Sequence, residues 1–131
     1  MEVLLDNKVA ILKVYPEKKI VHHEIKGFIQ GDNFKKLLTT GSDAFKKHHC
    51  TKWLSDDRKS SALRKEDLDW GHENWEPGIM KAGWKHWALV LPEQIFGQMN
   101  MKELIKRYGE QGVSVQVFTD PDEAMTWLEA Q

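Results

Sequence analysis

The chain has 131 residues, 40% hydrophobic and 30% charged, a mixture that supports one soluble domain with its own core. Its 19 lysines and arginines are offset by 20 aspartates and glutamates; the net charge of −1 argues against nucleic acid as a partner, because that affinity rests on excess positive charge. The single cysteine, Cys50, excludes an internal disulfide, a multi-cysteine zinc site and an iron–sulfur cage, and no apolar run approaches the roughly 20 residues of a membrane span.

Met1 to Asp6 lacks the basic start and apolar stretch of a signal peptide, so a cytoplasmic location is the default expectation. Val9 to Tyr15 is rich in β-formers, Pro16 to Lys19 supplies a turn, and Ile20 to Ile25 resumes extended character, which predicts an antiparallel hairpin. Gly27 and Gly31 punctuate its exit. A helix is expected from Asp32, a good N-cap, with Phe34, Leu37, Leu38, Phe45 and His48 on one face. Gly41 lies on that face and either permits close packing or breaks the helix near Thr39 to Ser42; one helix with a weak centre is the reading adopted. Thr51 to Ser55 is a short third strand, and Asp56 to Ser61 a polar loop.

The stretch from Leu63 to Gly83 is the least regular. Leu68, His72, Trp75 and Ile79 share a helical face, but Pro77 is expected to end or kink the helix near Trp75. Trp84 to Leu91 is a fourth strand whose apolar end predicts burial on both faces, and Pro92 stops it. Asn100 to Glu103 resembles a capping box, opening a helix with Met101, Leu104, Ile105 and Tyr108 on one stripe. Val113 to Phe118 alternates as a fifth strand. Asp120, Pro121 and Glu123 open the last helix, with Ala124, Trp127 and Leu128 inward. The elements predict an α/β fold: a single domain over 1–131 with a five-stranded mixed sheet, an antiparallel opening hairpin, then parallel βαβ units, and about four helices.

Three segments carry a family resemblance: Gly27-Phe28-Ile29-Gln30-Gly31-Asp32-Asn33-Phe34 after the hairpin, Trp84-Lys85-His86-Trp87-Ala88-Leu89-Val90, and the close from Val117 to Leu128 with Glu-Ala-x-x-Trp-Leu after a short acidic turn. In these the chain resembles the SpoIIAA-like, STAS/SEC14-type bacterial proteins, over roughly Val9 to Leu128. The resemblance implies a small α/β domain with a central mixed sheet. Better-known relatives antagonise anti-sigma factors and are switched by phosphorylation of a serine in an Asp-Ser motif after the third strand. The matching region, Leu54 to Leu63, holds Ser55-Asp56-Asp57 and Ser60-Ser61 without that motif; Asp56 matches the strand-end acid, and Ser60 and Ser61 are the candidate phosphorylation sites. Other members resemble lipid-binding SEC14-type domains. The leading expectation is therefore a non-enzymatic regulatory or protein-interaction module; the alternative is a carrier or sensor of a small apolar ligand.

The conspicuous residues are weighed against plain packing. Of six tryptophans, Trp70, Trp75, Trp84 and Trp87 gather around the irregular helix as a candidate apolar pocket or partner surface, with Trp70 and Trp84 expected to be the most exposed. His22 and His23 sit at adjacent strand positions and point to opposite faces, so they cannot share a metal ion. His48, His49 and Cys50 lack a ligand spacing, and a helix C-terminus is the wrong end to activate a thiolate. No nucleophile elbow or phosphate loop is present, and no cofactor or metal is expected. Glu66, Asp67, Asp69, Glu73 and Glu76 read as a solvated helix face, and Lys46, Lys47, Lys52, Arg58 and Lys59 as a solvated basic group. The candidate partner or ligand surface joins the loop residues Ser55, Asp56, Asp57, Arg58, Ser60 and Ser61 to Trp70, Trp75 and Trp84, beyond the end of a parallel strand.

Overall fold

Strand residues alternate between two faces, and here the alternation divides the protein into two cores. The structure, a computed structural model that describes residues 1–96 and 100–131, contains β1 (Glu2–Asp6), β2 (Ala10–Tyr15), β3 (Ile20–Ile25), β4 (Lys52–Asp56), β5 (His86–Val90) and β6 (Ser114–Phe118). They form one sheet in sequential order; β2 runs antiparallel to both of its neighbours, β1 and β3, and β3 to β6 run parallel. The helices are α1 (Gly31–Lys47), α2 (Lys65–Trp70), α3 (Glu76–Lys81), α4 (Glu93–Phe96), α5 (Met101–Gly109) and α6 (Pro121–Glu129). The mixed sheet, its hairpin of β2 and β3, and the parallel units that follow match the sequence reading, with one strand more than the five expected and, among the described residues, six helices where about four were expected.

The added strand is β1. It pairs along β2 from Glu2 opposite Val14 to Asp6 opposite Ile11, with an irregularity between Val3 and Leu5. As an edge strand it is mostly exposed and lacks the clean alternation that marks an inner strand.

One core lies on the face built by Leu12, Val14, Val21, Ile25 and Trp53, under α1, α3 and α5. The other, around Ile20, Leu54, Ala88 and Val90, is covered by Ala124 and Leu128 of α6, which packs on β4, β5 and β6. The close of β5 is buried on both sides, as its apolar run predicts: Ala88, Leu89 and Val90 are at most 5% exposed.

Helix α1 is unbroken through Gly41, which lies beneath the fully buried Trp53 ring; a methyl group there would collide with it. The helix begins at Gly31, one residue before the cap expected at Asp32. Its first N–H is met instead by a distant group, the Asp67 carboxylate, at 3.2 and 3.3 Å. Arg64 holds that carboxylate with donors at 2.9 and 3.0 Å, and the Arg64 bonds outweigh burial to lower the Asp67 pKa.

Of the two outcomes expected around Pro77, an end or a kink of the helix, the structure excludes the end. The chain does not leave the helix near Trp75; α2 runs through a π-helical turn, Gly71–Trp75, directly into α3. Proline lacks an N–H and its ring crowds the carbonyl four residues back, so an ordinary α-turn is unfavourable here. The wider π-turn just before Pro77 relieves that conflict. Proline then occupies the first turn of α3, where no donor is required.

Candidate functional site

The π-turn brings Leu68, His72, Trp75 and Glu76 to one side of the α2–α3 segment, over the faces of β3, β4 and β5. Between them, α1 and the inward residue Tyr108 of α5 lies a cavity of about 250 Å³. Its walls are mostly apolar, and aromatic rings form a continuous chain around it. Trp53 meets Trp75 edge-on at 5.2 Å between centroids, Trp75 meets Trp84 at 5.6 Å, Trp84 meets Trp87 at 5.4 Å, and Trp87 meets Tyr108 at 4.9 Å. Three of these four contacts are edge-to-face, a favoured aromatic geometry, and the Trp84–Trp87 pair is tilted at 56°.

Each indole N–H has its own acceptor. Trp75 donates to the Leu38 carbonyl at 3.0 Å, Trp84 to the His86 carbonyl at 3.2 Å, and Trp87 to Ser55 Oγ at 2.9 Å. Trp53 donates to His23 Nδ1 at 3.0 Å. An indole nitrogen can only donate, so His23 Nδ1 is bare and Nε2 carries the proton. That proton is given to Asp57 Oδ1 at 2.8 Å. Both ring nitrogens of His23 are thereby committed, so His23 is no base for Ser55, its register neighbour on β4.

A second polar group sits on the other side. Glu76 Oε2 accepts from Tyr108 at 3.3 Å and lies 2.9 Å from His72 Nδ1. Burial, then the Glu76 charge, pushes the Tyr108 hydroxyl up to about 12, which keeps it a donor. Arg107 Nη2 lies 3.2 Å from the same His72 nitrogen. Arginine only donates, so a protonated Nδ1 gives its hydrogen to Glu76 and a bare one accepts from Arg107; one contact at a time is a hydrogen bond.

Of the residues selected from sequence, Ser55, Asp57, Trp75 and Trp84 line the cavity, as does Trp87. Asp56 points to the opposite face of the sheet, where Arg58 clasps it at 2.9 and 2.8 Å. Burial raises the Asp56 pKa, but the Arg58 hydrogen bonds and charge outweigh it and leave the pKa lowered. Ser60 and Ser61 lie in the loop beyond Asp57, outside the cavity wall, with Ser60 Oγ donating to the Ser61 carbonyl. Trp70 also lies outside; it packs edge-on against Phe34 and under Lys35. Trp84, expected to be exposed, is 5% exposed, because Trp75, Trp87 and Tyr108 enclose it. Two acids expected in solvent are buried: Asp67, which caps α1, and Glu76, which lines the cavity. Lys52, read as a solvated base, is buried as well.

Sequence reasoning did not assign His23, Trp53, His72, Glu76 or Tyr108 to this site. The spacing of His72 and Glu76, one helical turn apart, was the available signal for that pair. Alternation in β3 also placed His23 with the inward Val21 and Ile25. Cys50, at the end of α1, is 1% exposed, and burial pushes its thiol up to about 11. No protein-family model, curated protein or solved structure matches the chain.

Proposed function

We propose that this protein binds a small, largely apolar molecule in the aromatic cavity and acts as its carrier or sensor, without chemical turnover. The single observation that carries this reading is the cavity itself: about 250 Å³, walled by four tryptophans, with a few oriented polar groups. That is close to the small end of the roughly 300–1,000 Å³ range of ligand pockets, and such a lining is their usual composition. Close packing is the default of protein interiors, so apolar room left within the domain forgoes dispersion contacts that a ligand would restore. A protein-interaction module, favoured by the SpoIIAA-like resemblance, needs no such space. The STAS/SEC14-type resemblance accommodates the ligand reading through its lipid-binding members.

Propylbenzene titrated into the protein tests it. The expected result is a saturable change in tryptophan fluorescence and a rise in Tm, since a ligand selective for the folded state stabilises it. Leu89→Phe, which fills the cavity from β5, is expected to abolish both responses while remaining folded. No saturable change in the wild type, or equal binding by Leu89→Phe, contradicts the proposal.

A further inference from the structure

We infer that the ligand is an organic ammonium, a small apolar body carrying one positively charged nitrogen. This rests on the cavity reading above and adds the charge class of the occupant. Among the described residues, the walls contain two carboxylates, Asp57 and Glu76, and no lysine or arginine. Glu76 is buried to 9% exposure, and the Asp57 side chain is 24% exposed. Each has one oxygen already engaged: Asp57 Oδ1 by His23, and Glu76 Oε2 by His72 and Tyr108. Among the described residues, no hydrogen bond reaches Asp57 Oδ2 or Glu76 Oε1, so each retains an acceptor for a ligand.

The aromatic walls favour the same sign. The face of an indole or phenol ring is the negative end of its quadrupole, and rings grouped about a pocket attract ammonium and quaternary nitrogen. Trp53, Trp75, Trp84, Trp87 and Tyr108 supply five such rings. Arg107 stands outside the wall, over the Tyr108 ring and beside His72. A carboxylate or phosphate headgroup would enter beside two carboxylates, with no lysine or arginine among the described wall residues to receive it. A pure hydrocarbon would desolvate both carboxylates and offer them no partner. An ammonium answers both: it donates to the open carboxylate oxygens and lies against the rings.

Three probes of matched shape separate the classes: phenethylamine, neutral propylbenzene and anionic 3-phenylpropionate, each titrated calorimetrically at neutral pH. Phenethylamine is expected to bind at least about tenfold tighter than propylbenzene, with 3-phenylpropionate the weakest. Glu76→Gln, which keeps an acceptor for Tyr108, is expected to weaken phenethylamine about tenfold and leave propylbenzene unchanged. Asp57→Asn provides the same comparison should Glu76→Gln melt early. If propylbenzene or 3-phenylpropionate equals or exceeds phenethylamine, the ammonium assignment is wrong while the apolar site stands. A phenethylamine preference that survives both substitutions also overturns it. If none of the three binds, the cavity is not a ligand site and both readings fall.

Discussion

His22 and His23 are neighbours in sequence with opposite environments. His23 faces the cavity with both ring nitrogens bonded. His22 faces the other side of the sheet, stacked on Tyr15, and neither of its ring nitrogens meets a partner among the described residues. Burial first, and then the nearby Lys13 charge, lowers its pKa from 6.5 to about 4, against a smaller opposing pull from Asp56. The folded state therefore binds fewer protons than the unfolded state in that interval. The stability it contributes is present above pH 6.5 and is lost as the pH falls towards 4. Allowing for partial exposure, the loss is on the order of 2 kcal/mol. Urea midpoints measured across this window should fall for the wild type and fall less for His22→Phe. Superimposable pH profiles would show that His22 does not contribute. His86, whose pKa is also lowered by burial and by Lys52 and Lys85, leaves a residual slope in the variant.

The tryptophans separate in the same way. Trp84 is enclosed by three aromatic neighbours, so Trp84→Ala should cost about 3–5 kcal/mol in urea unfolding. Trp70 is only partly buried and stands outside the cavity, and Trp70→Ala should cost about 1 kcal/mol. Comparable losses for the two would contradict this placement.

At the scale of elements, α1 shows two influences in competition. Alanine in place of a helical glycine gains about 1 kcal/mol in propensity. At Gly41 that gain meets the Trp53 ring, which is fully buried, hydrogen-bonded to His23 and unable to yield. Overpacking of this kind costs about 1–3 kcal/mol, so Gly41→Ala should be destabilising in denaturant titration despite its better helix propensity. A more stable variant would mean that the ring moves aside. The start of α1 depends on a group far away in sequence. Asp67→Ala should therefore raise amide hydrogen exchange in the first turn of α1 more than in its last, and uniform exchange along the helix would contradict the cap.

Elements whose signals are local were legible. The pairing of β2 with β3 follows from alternation and Pro16, and α6 from Asp120, whose side chain accepts from the Asp122 N–H at 2.9 Å. The course of the chain past Pro77 was not, because a π-turn has no compositional mark and the proline rule leaves an end and a kink equally open there. Strand β1 was hidden because its residues are mostly exposed and its partly buried pair, Leu4 and Leu5, breaks the alternation. For the site, Ser55, Asp57, Trp75 and Trp84 could be named because they border one irregular segment. Tyr108 could not: its helical stripe indicates an inward face, but only tertiary packing sets it against Glu76 on α3.

For the whole molecule, the fold assigns separate tasks to the two faces of one sheet. On one face α6 closes a small apolar core with Ala124 and Leu128 fully buried. On the other, α1, α2–α3 and α5 converge over β3, β4 and β5 without filling the space between them, and the rings and carboxylates line what is left. The most direct test is native mass spectrometry of gently purified protein, comparing the wild type with Leu89→Phe. The prediction is a wild-type mass above that of the bare chain, with the added species released intact on collisional activation as a small cation and missing from Leu89→Phe. A bare-chain mass for both proteins, or the same added species on both, would contradict a ligand held in the aromatic cavity.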